Sequence, residues 1–314
     1  MIMAKEFWAI FVVGVFVVVL LLLAGQRFYR VGILRRNKIK NKTEGETNPA
    51  RDFWQEGREW VYRQRYEVVS ITSQEGLTLK GIYVEAEQLS DTTVVLVHGY
   101  HSRGVGLGAL ARYYHRERGY HVLMPDLRGH GDSDGNYIAF GWHDRLDLIN
   151  WLQWLLREKK GNGTLLLHGV SMGGATVLMA SGETLPPQVK GIIADCAYTS
   201  ARDILAYQMK QRYGLPAFPF MNVTSLICKW RAGYYIGEAS VLKQLKRSTL
   251  PILLIHGEAD DFVPTAMVYR LYQEAPGEKM LLLIPEAGHA EAYWKDTALY
   301  EKTISEFLQG VAKE

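Results

Sequence analysis

The chain has 314 residues, 48% of them hydrophobic and 22% charged, which is material for one large folded domain with an appendage. Its net charge of +3 is unevenly placed: residues 1–42 carry eight Lys/Arg against one acid, a net of +7, so residues 43–314 net −4. A mildly acidic globular part argues against a nucleic-acid footprint, which wants a basic face, and two cysteines, Cys196 and Cys228, are too few for a disulfide framework or a cysteine-built metal site.

From Phe7 to Gln26 no residue is charged, and most are Val, Leu, Ile or Phe. Twenty helical residues rise about 30 Å, the thickness of a bilayer core. The run is longer than the apolar region of a cleavable signal, and Ala24-Gly25 leads into Arg27, Phe28, Tyr29 and Arg30 rather than a cleavage site. It reads as an uncleaved membrane anchor. Lys5 and Glu6 precede it; Arg27, Arg30, Arg35, Arg36, Lys38, Lys40 and Lys42 follow with no acid among them. The positive-inside rule then keeps the C-terminal side in the cytoplasm. The basic run reads as a solvated flank that can also lie on anionic lipid headgroups.

Asn41–Pro49 is polar, with Gly and Pro, and reads as a linker. Arg51–Tyr62 reads as a short amphipathic helix. Two alternating runs, Tyr66–Ile71 and Leu77–Val84, flank Gln74-Glu75-Gly76 and predict a hairpin. Then continuous apolar runs appear: Thr93–Val97, His121–Met124, Leu165–Leu167, Ile192–Asp195, Pro251–Ile255 and Met280–Ile284. Such runs suit strands covered on both faces. Helical segments alternate with them, which predicts βαβ units and a mostly parallel sheet of the α/β class. About 200–249 breaks this rhythm. It reads as two or three helices with an aromatic, Pro-containing connection, and it follows a strand C-terminus, so it is expected to sit as a cap over the catalytic face.

Gly169-Val170-Ser171-Met172-Gly173 fits G-x-S-x-G between a strand and a helix, the setting of a nucleophile elbow. A serine hydroxyl needs a base, usually a histidine held by a carboxylate. Candidates must stand at strand C-termini. Past Ile255 come Glu258, Asp260 and Asp261; past Ile284 comes Gly288-His289. The order Ser171, acid, His289 is that of one serine-hydrolase architecture and differs from two others. The other eight histidines read as structural, His256 among them as a core turn residue. The oxyanion hole is expected at the backbone N–H of Met172 and of Tyr100, just past His98-Gly99. The Tyr100 side chain is free either to line the acyl pocket or to donate its hydroxyl. Gly104–Gly108 lacks the rest of a phosphate-binding loop, and Asp132 and Asp134 lack companion ligands, so no cofactor or metal is implied.

On His98-Gly99, the Ser171 elbow, Asp260-Asp261-Phe262-Val263-Pro264 and Gly288-His289, the chain resembles the α/β-hydrolase family over about residues 65–310. Its elbow and cap placement are most similar to the serine aminopeptidase, monoacylglycerol lipase and carboxylesterase branch, and its anchor to membrane-anchored bacterial members. The resemblance implies a catalytic triad of Ser171, Asp260 and His289, with Asp261 either the alternative acid or a cap of the helix near Pro264. It also implies an anchor over 1–26, a basic juxtamembrane segment and linker over 27–62, and an α/β-hydrolase domain over 63–314. The expected activity is hydrolysis of a carboxylic ester, lipid or monoacylglycerol included, at the membrane. A peptidase or amidase acting on short peptides, and an acyltransferase with the same triad, are the alternatives; a non-catalytic binding protein on this fold is the remaining rival. The substrate is expected to meet an aromatic cap built from Phe218, Phe220, Trp230 and Tyr234.

Overall fold

The computed structural model describes residues 2–35, 49–159 and 163–311. Arg36, Lys38, Lys40, Lys42 and the linker up to Asn48 lie outside the described residues.

The first helix, α1 (Ile2–Gly32), continues well past Gln26. Its Glu6–Gly32 stretch is long and apolar enough to cross a membrane, and its most apolar part is not buried inside the protein. Helix α2 (Pro49–Arg63) follows, then the antiparallel hairpin β1 (Tyr66–Thr72) and β2 (Thr78–Val84). Next come β3 (Thr92–Val97), α3 (Gly108–Arg116), β4 (His121–Pro125) and α4 (Asp144–Glu158). The elbow joins β5 (Thr164–Val170) to α5 (Met172–Ala180), and β6 (Val189–Asp195) follows. Helices α6 (Ala201–Tyr213), α7 (Phe220–Ala232) and α8 (Val241–Leu245) fill the segment before β7 (Ile252–Gly257). The chain closes with α9 (Ala266–Glu274), β8 (Lys279–Ile284), α10 (Ala292–Lys295) and α11 (Thr297–Val311).

The eight strands form one sheet in the order β1-β2-β4-β3-β5-β6-β7-β8. From β4 to β8 all pairings are parallel; β2 joins β4 antiparallel and carries the hairpin. Alternate side chains of the central strands feed two cores. Val95 and Val97 join Trp151, Val177 and Val268, from α4, α5 and α9, on one face. Val94 and Leu96 join Trp60, Leu110 and Phe307, from α2, α3 and α11, on the other. Burial on both faces is why these strands read as unbroken apolar runs.

Two features place the functional face. The crossover leaves the C-terminal ends of β3, β5, β6, β7 and β8 on one edge, and the α6–α8 segment departs from that edge directly after β6. The second feature is α1, which joins the core instead of stopping at its surface. Tyr29 and Ile33 are fully buried among the residues around α7. Full burial of an isoleucine side chain contributes about 1.5–3 kcal/mol, so the last turns of α1 are part of the folded domain. Arg35 is no solvated flank either: its guanidinium donates to the carbonyls of Gly131 (3.0 Å), Ser133 (2.8 Å) and Gly135 (3.2 Å).

Candidate active site

Ser171 stands between β5 and α5 with φ 57° and ψ −116°, a region that non-glycine residues avoid. The turn is this sharp because the chains around it touch through backbone. A Cβ on Gly169 would collide with the Gly173 carbonyl, and one on Gly173 with the Val97 carbonyl. That is the physical content of G-x-S-x-G here. The strained bend is held by the Ser171 N–H, which donates to the Asp195 carbonyl at 2.8 Å.

Ser171 Oγ lies 2.8 Å from His289 Nε2, and His289 Nδ1 lies 2.7 Å from Asp260 Oδ2. These three side chains come from the ends of β5, β7 and β8, so the sheet itself brings them together. Asp260 is buried and its other oxygen accepts the N–H groups of Phe262 (2.9 Å) and Val263 (2.8 Å). Burial alone would raise its pKa, but the hydrogen bonds from His256 and His289, the charge of His289 and the Val263 N–H outweigh it and hold the carboxyl down to about 2. Asp261 is exposed, and its carbonyl accepts from Tyr207; the turn-capping expected of the second aspartate is done by Asp260. Glu258 is exposed too.

The histidine pattern goes further than the sequence reading. His256 Nε2 lies 3.3 Å from Asp260 Oδ2 and 2.8 Å from the Val263 carbonyl, so this ring supports the acid as well as the turn. The signal was the four-residue spacing from the end of β7. His98 has one assigned tautomer: Leu127 N–H donates to Nε2 (3.0 Å), leaving the proton on Nδ1 for the Gly99 carbonyl (2.7 Å). Its ring packs edge-on against His130, 5.0 Å away, and His130 Nε2 accepts the His101 N–H. Burial drives His98 down to about 4 and His130 to about 3, so both are neutral braces of the Gly99–His101 loop. Below the elbow, His168 bridges Tyr114 and Tyr300, each at 3.1 Å, and Tyr300 donates to Asp195 (3.0 Å). Burial raises Asp195 to about 6.

Met172 opens α5, so its N–H has no acceptor inside the helix. Gly99 packs against Ser171, with space for a Cβ only 3.3 Å from the serine Cβ. Tyr100 follows it. Its ring lines the cleft and stacks on Phe140, and its hydroxyl donates to the Gly32 carbonyl of α1 at 2.9 Å. Its hydroxyl is thus spent on α1 and does not point its proton at the serine.

Cys196 Sγ, an Asp260 oxygen and a His289 nitrogen lie within 4.8 Å of one another. Both imidazole nitrogens of His289 already engage Ser171 and Asp260. Asp134 accepts the Thr78 N–H and Asp132 pairs with Arg103, which is turn and loop chemistry.

Ser171 opens into an apolar cleft. Its walls mix aliphatic and sulfur side chains, Val31, Ile33, Ile204, Leu205, Met209 and Met221 among them, with the aromatic Phe28, Tyr100, Phe140, Tyr198, Tyr213 and Phe262 and the polar Gln208, Arg212 and Thr224. The aromatic cap was expected otherwise. Phe218, Phe220, Trp230 and Tyr234 do not line the cleft. Phe218 and Trp230 are 73% and 80% exposed and face outward, Phe220 packs on Phe28, and Tyr234 is buried with its hydroxyl on the Ile138 carbonyl.

Comparison with known proteins fits this geometry. The profile of the X-Pro dipeptidyl-peptidase (S15) family matches residues 85–226. The uncharacterized protein YqkD of Bacillus subtilis is 31% identical over 245 residues, covering 77% of this chain and 78% of that one. The esterase Pf2001 of Pyrococcus furiosus superposes with a TM-score of 0.64 at 22% identity, over 88% of this chain and 97% of the esterase. The chain belongs to the α/β-hydrolase superfamily. A lysophosphatidylserine lipase of Danio rerio is a more distant relative of this α/β-hydrolase, 28% identical over 171 residues, which are 52% of this chain and 41% of the lipase. Hydrolysis is the coarse function these relatives support.

Proposed function

We propose that the protein is a membrane-anchored serine hydrolase that cleaves a carboxylic ester with a long apolar acyl group. The observation that carries this reading is the unbroken Ser171–His289–Asp260 hydrogen-bond chain at the floor of an apolar cleft. His289 Nε2 takes the Ser171 proton as Oγ attacks the ester carbonyl. Asp260 holds the ring with Nδ1–H toward it and stabilises the imidazolium that forms. The N–H groups of Met172 and Tyr100 receive the oxyanion; each such donor stabilises a transition state by about 2.7–4 kcal/mol. His289 returns the proton to the leaving alkoxide, and water resolves the acyl-enzyme by the reverse sequence.

The lipid-ester preference is supported by the mostly apolar lining and by the lipase among the relatives. Membrane residence is supported by the bare apolar surface of α1, and a cytoplasmic catalytic domain by Arg27, Arg30 and Arg35 on its C-terminal side. Substrate and bilayer lipids are then the partners. The S15 profile favours one second reading, cleavage of short peptides or aminoacyl amides by the same triad.

The deciding experiment screens the full-length protein against acyl esters of graded length and aminoacyl amides, with Ser171→Ala as control. Ester turnover that vanishes in the Ser171→Ala protein is expected. Turnover unchanged by that substitution would sink the assignment, and amide turnover exceeding ester turnover would move it to the peptidase reading.

A further inference from the structure

An anchor is normally a tether, with a domain hung from it. Here the chain does something else. Through Leu20 the described side chains of α1 are exposed; after that the helix turns a stripe of residues into the domain, with Gly25, Tyr29 and Ile33 all buried at four-residue spacing. Gly25 lets the two backbones approach: a Cβ there would stand 2.7 Å from Val223 Cγ1 and 3.3 Å from the Thr224 nitrogen of α7. Past the helix the chain is pinned again, by the Ile138 N–H on the Ile33 carbonyl (2.7 Å), by the Arg35 N–H on the Asn136 carbonyl (2.9 Å) and by the Arg35 side chain.

The neighbouring stripe of the same helix is not buried in packing. Phe28, Val31 and Gly32 line the cleft that opens Ser171. Gly32 is at the serine end, since its carbonyl holds the Tyr100 hydroxyl and Tyr100 follows the glycine that packs on Ser171. Phe28 lies one turn back along α1, about 6 Å toward the bilayer segment. There it meets Tyr213 and Phe220 edge-on at 5.5 and 6.1 Å, at the ends of α6 and α7. The cleft thus runs from the nucleophile back along the anchor.

We propose that the anchor helix is itself a wall of the acyl-binding site: an acyl chain enters from the bilayer along α1, and Val31 and Phe28 set the chain length the site accepts. This rests on the serine-hydrolase reading for its catalytic consequence, though not for the binding site. The occupant is a single extended alkyl chain, because the lining is mostly apolar, aliphatic and aromatic together, and the axis is shared with a helix whose continuation is exposed apolar surface.

The test uses the full-length chain in lipid nanodiscs and p-nitrophenyl esters from four to sixteen carbons. Val31→Trp is expected to lower kcat/KM for the twelve- to sixteen-carbon esters at least tenfold, while the four-carbon ester changes less than twofold and a fluorophosphonate probe still labels Ser171. Val31→Ala, which keeps the helix, is expected to move the optimum toward longer chains. Leu23→Trp, on the bare part of α1, is expected to leave the profile unchanged. Equal effects at all lengths, or none from either Val31 variant, would overturn the proposal. A second measurement separates it from the hydrolase reading. A fluorescent eighteen-carbon fatty acid is titrated into the Ser171→Ala protein with and without Val31→Trp. Saturable binding lost with Val31→Trp supports the anchor wall even if no ester is ever turned over; absent binding, or binding indifferent to residue 31, overturns it.

Discussion

His256 Nε2 lies 3.3 Å from the same Asp260 oxygen that bonds His289. One carboxylate oxygen therefore has two imidazoles beside it, one reaching Ser171 and one held by the Val263 carbonyl. Hydrogen bonds to charged groups contribute about 1.5–3 kcal/mol. His256→Phe is expected to lower kcat by about ten- to a hundredfold with little change in KM, because the fixed ring orients the acid and touches no substrate. Steady-state kinetics on a short ester checks this; a change confined to KM would assign His256 to the substrate pocket instead.

The two adjacent aspartates differ in burial and partners, and their variants should differ accordingly. Asp260→Asn keeps the shape but no longer holds the imidazole in the required tautomer, a change worth roughly 10⁴ in kcat for a triad of this kind. Asp261→Asn is expected to stay within about twofold of the parent. Both are measured on the same ester under saturating conditions, and the reverse ranking would shift the acid by one residue.

Stability should fall in acid, and the sign follows from the buried histidines. His98, His130, His143 and His168 are all depressed by burial, to about 4, 3, 4 and 3. Unfolded, each takes up a proton near 6.5, so their stabilisation is complete above that pH and is lost as pH falls toward 4 and below. Asp144 and Asp195, raised by burial to about 7 and about 6, act in the opposite sense between 3.8 and those values, and Asp147, also raised by burial, acts with them. With four groups against three, the melting temperature is expected to drop between pH 6.5 and 4. His130→Asn should flatten that slope by up to about 1.4 kcal/mol per pH unit; a slope unchanged by the substitution would mean the ring is charged in the fold.

Arg35 holds three carbonyls of the 131–135 loop. Arg35→Ala leaves those acceptors unpaired, at about 1–3 kcal/mol for a buried group. Limited proteolysis is expected to cut near the end of α1 faster in this variant, with the thermal midpoint lowered. Identical digestion patterns would show that the contact contributes nothing to the docking of α1.

The sheet was legible because doubly covered strands such as Val94–Val97 and Ile252–Ile255 admit no polar residue, and the turns after them are marked by Gly, Pro and Asp. The positions of Ser171, Asp260 and His289 were legible for the same reason, with the choice of Asp260 over Asp261 coming from family resemblance. His256 was not, since a histidine ending an apolar strand looks the same whether it braces a turn or an acid. The double use of α1 was hidden because the Gly25–Tyr29–Ile33 stripe runs straight on from the uniformly apolar Phe7–Gly25 stretch, and Gln26, Arg27 and Arg30 beside it read as the flank of a span. The cap aromatics misled because residue type does not report direction. Phe218 and Trp230 face away from the cleft, and the wall expected of them is supplied by a helix nearly two hundred residues earlier in the chain.

The welding of α1 into the domain also sets how the enzyme meets its substrate. With α1 in the bilayer, the catalytic domain has no slack with which to swing out and sample the surrounding water. On the proposed reading its mouth would stay at one height and one tilt, and encounters with a membrane-borne ester would occur by lateral diffusion in two dimensions. Turnover would then follow the mole fraction of ester within the membrane patch rather than its amount per litre. Diluting that patch with inert lipid is expected to slow the reaction even when the total quantity of substrate is unchanged.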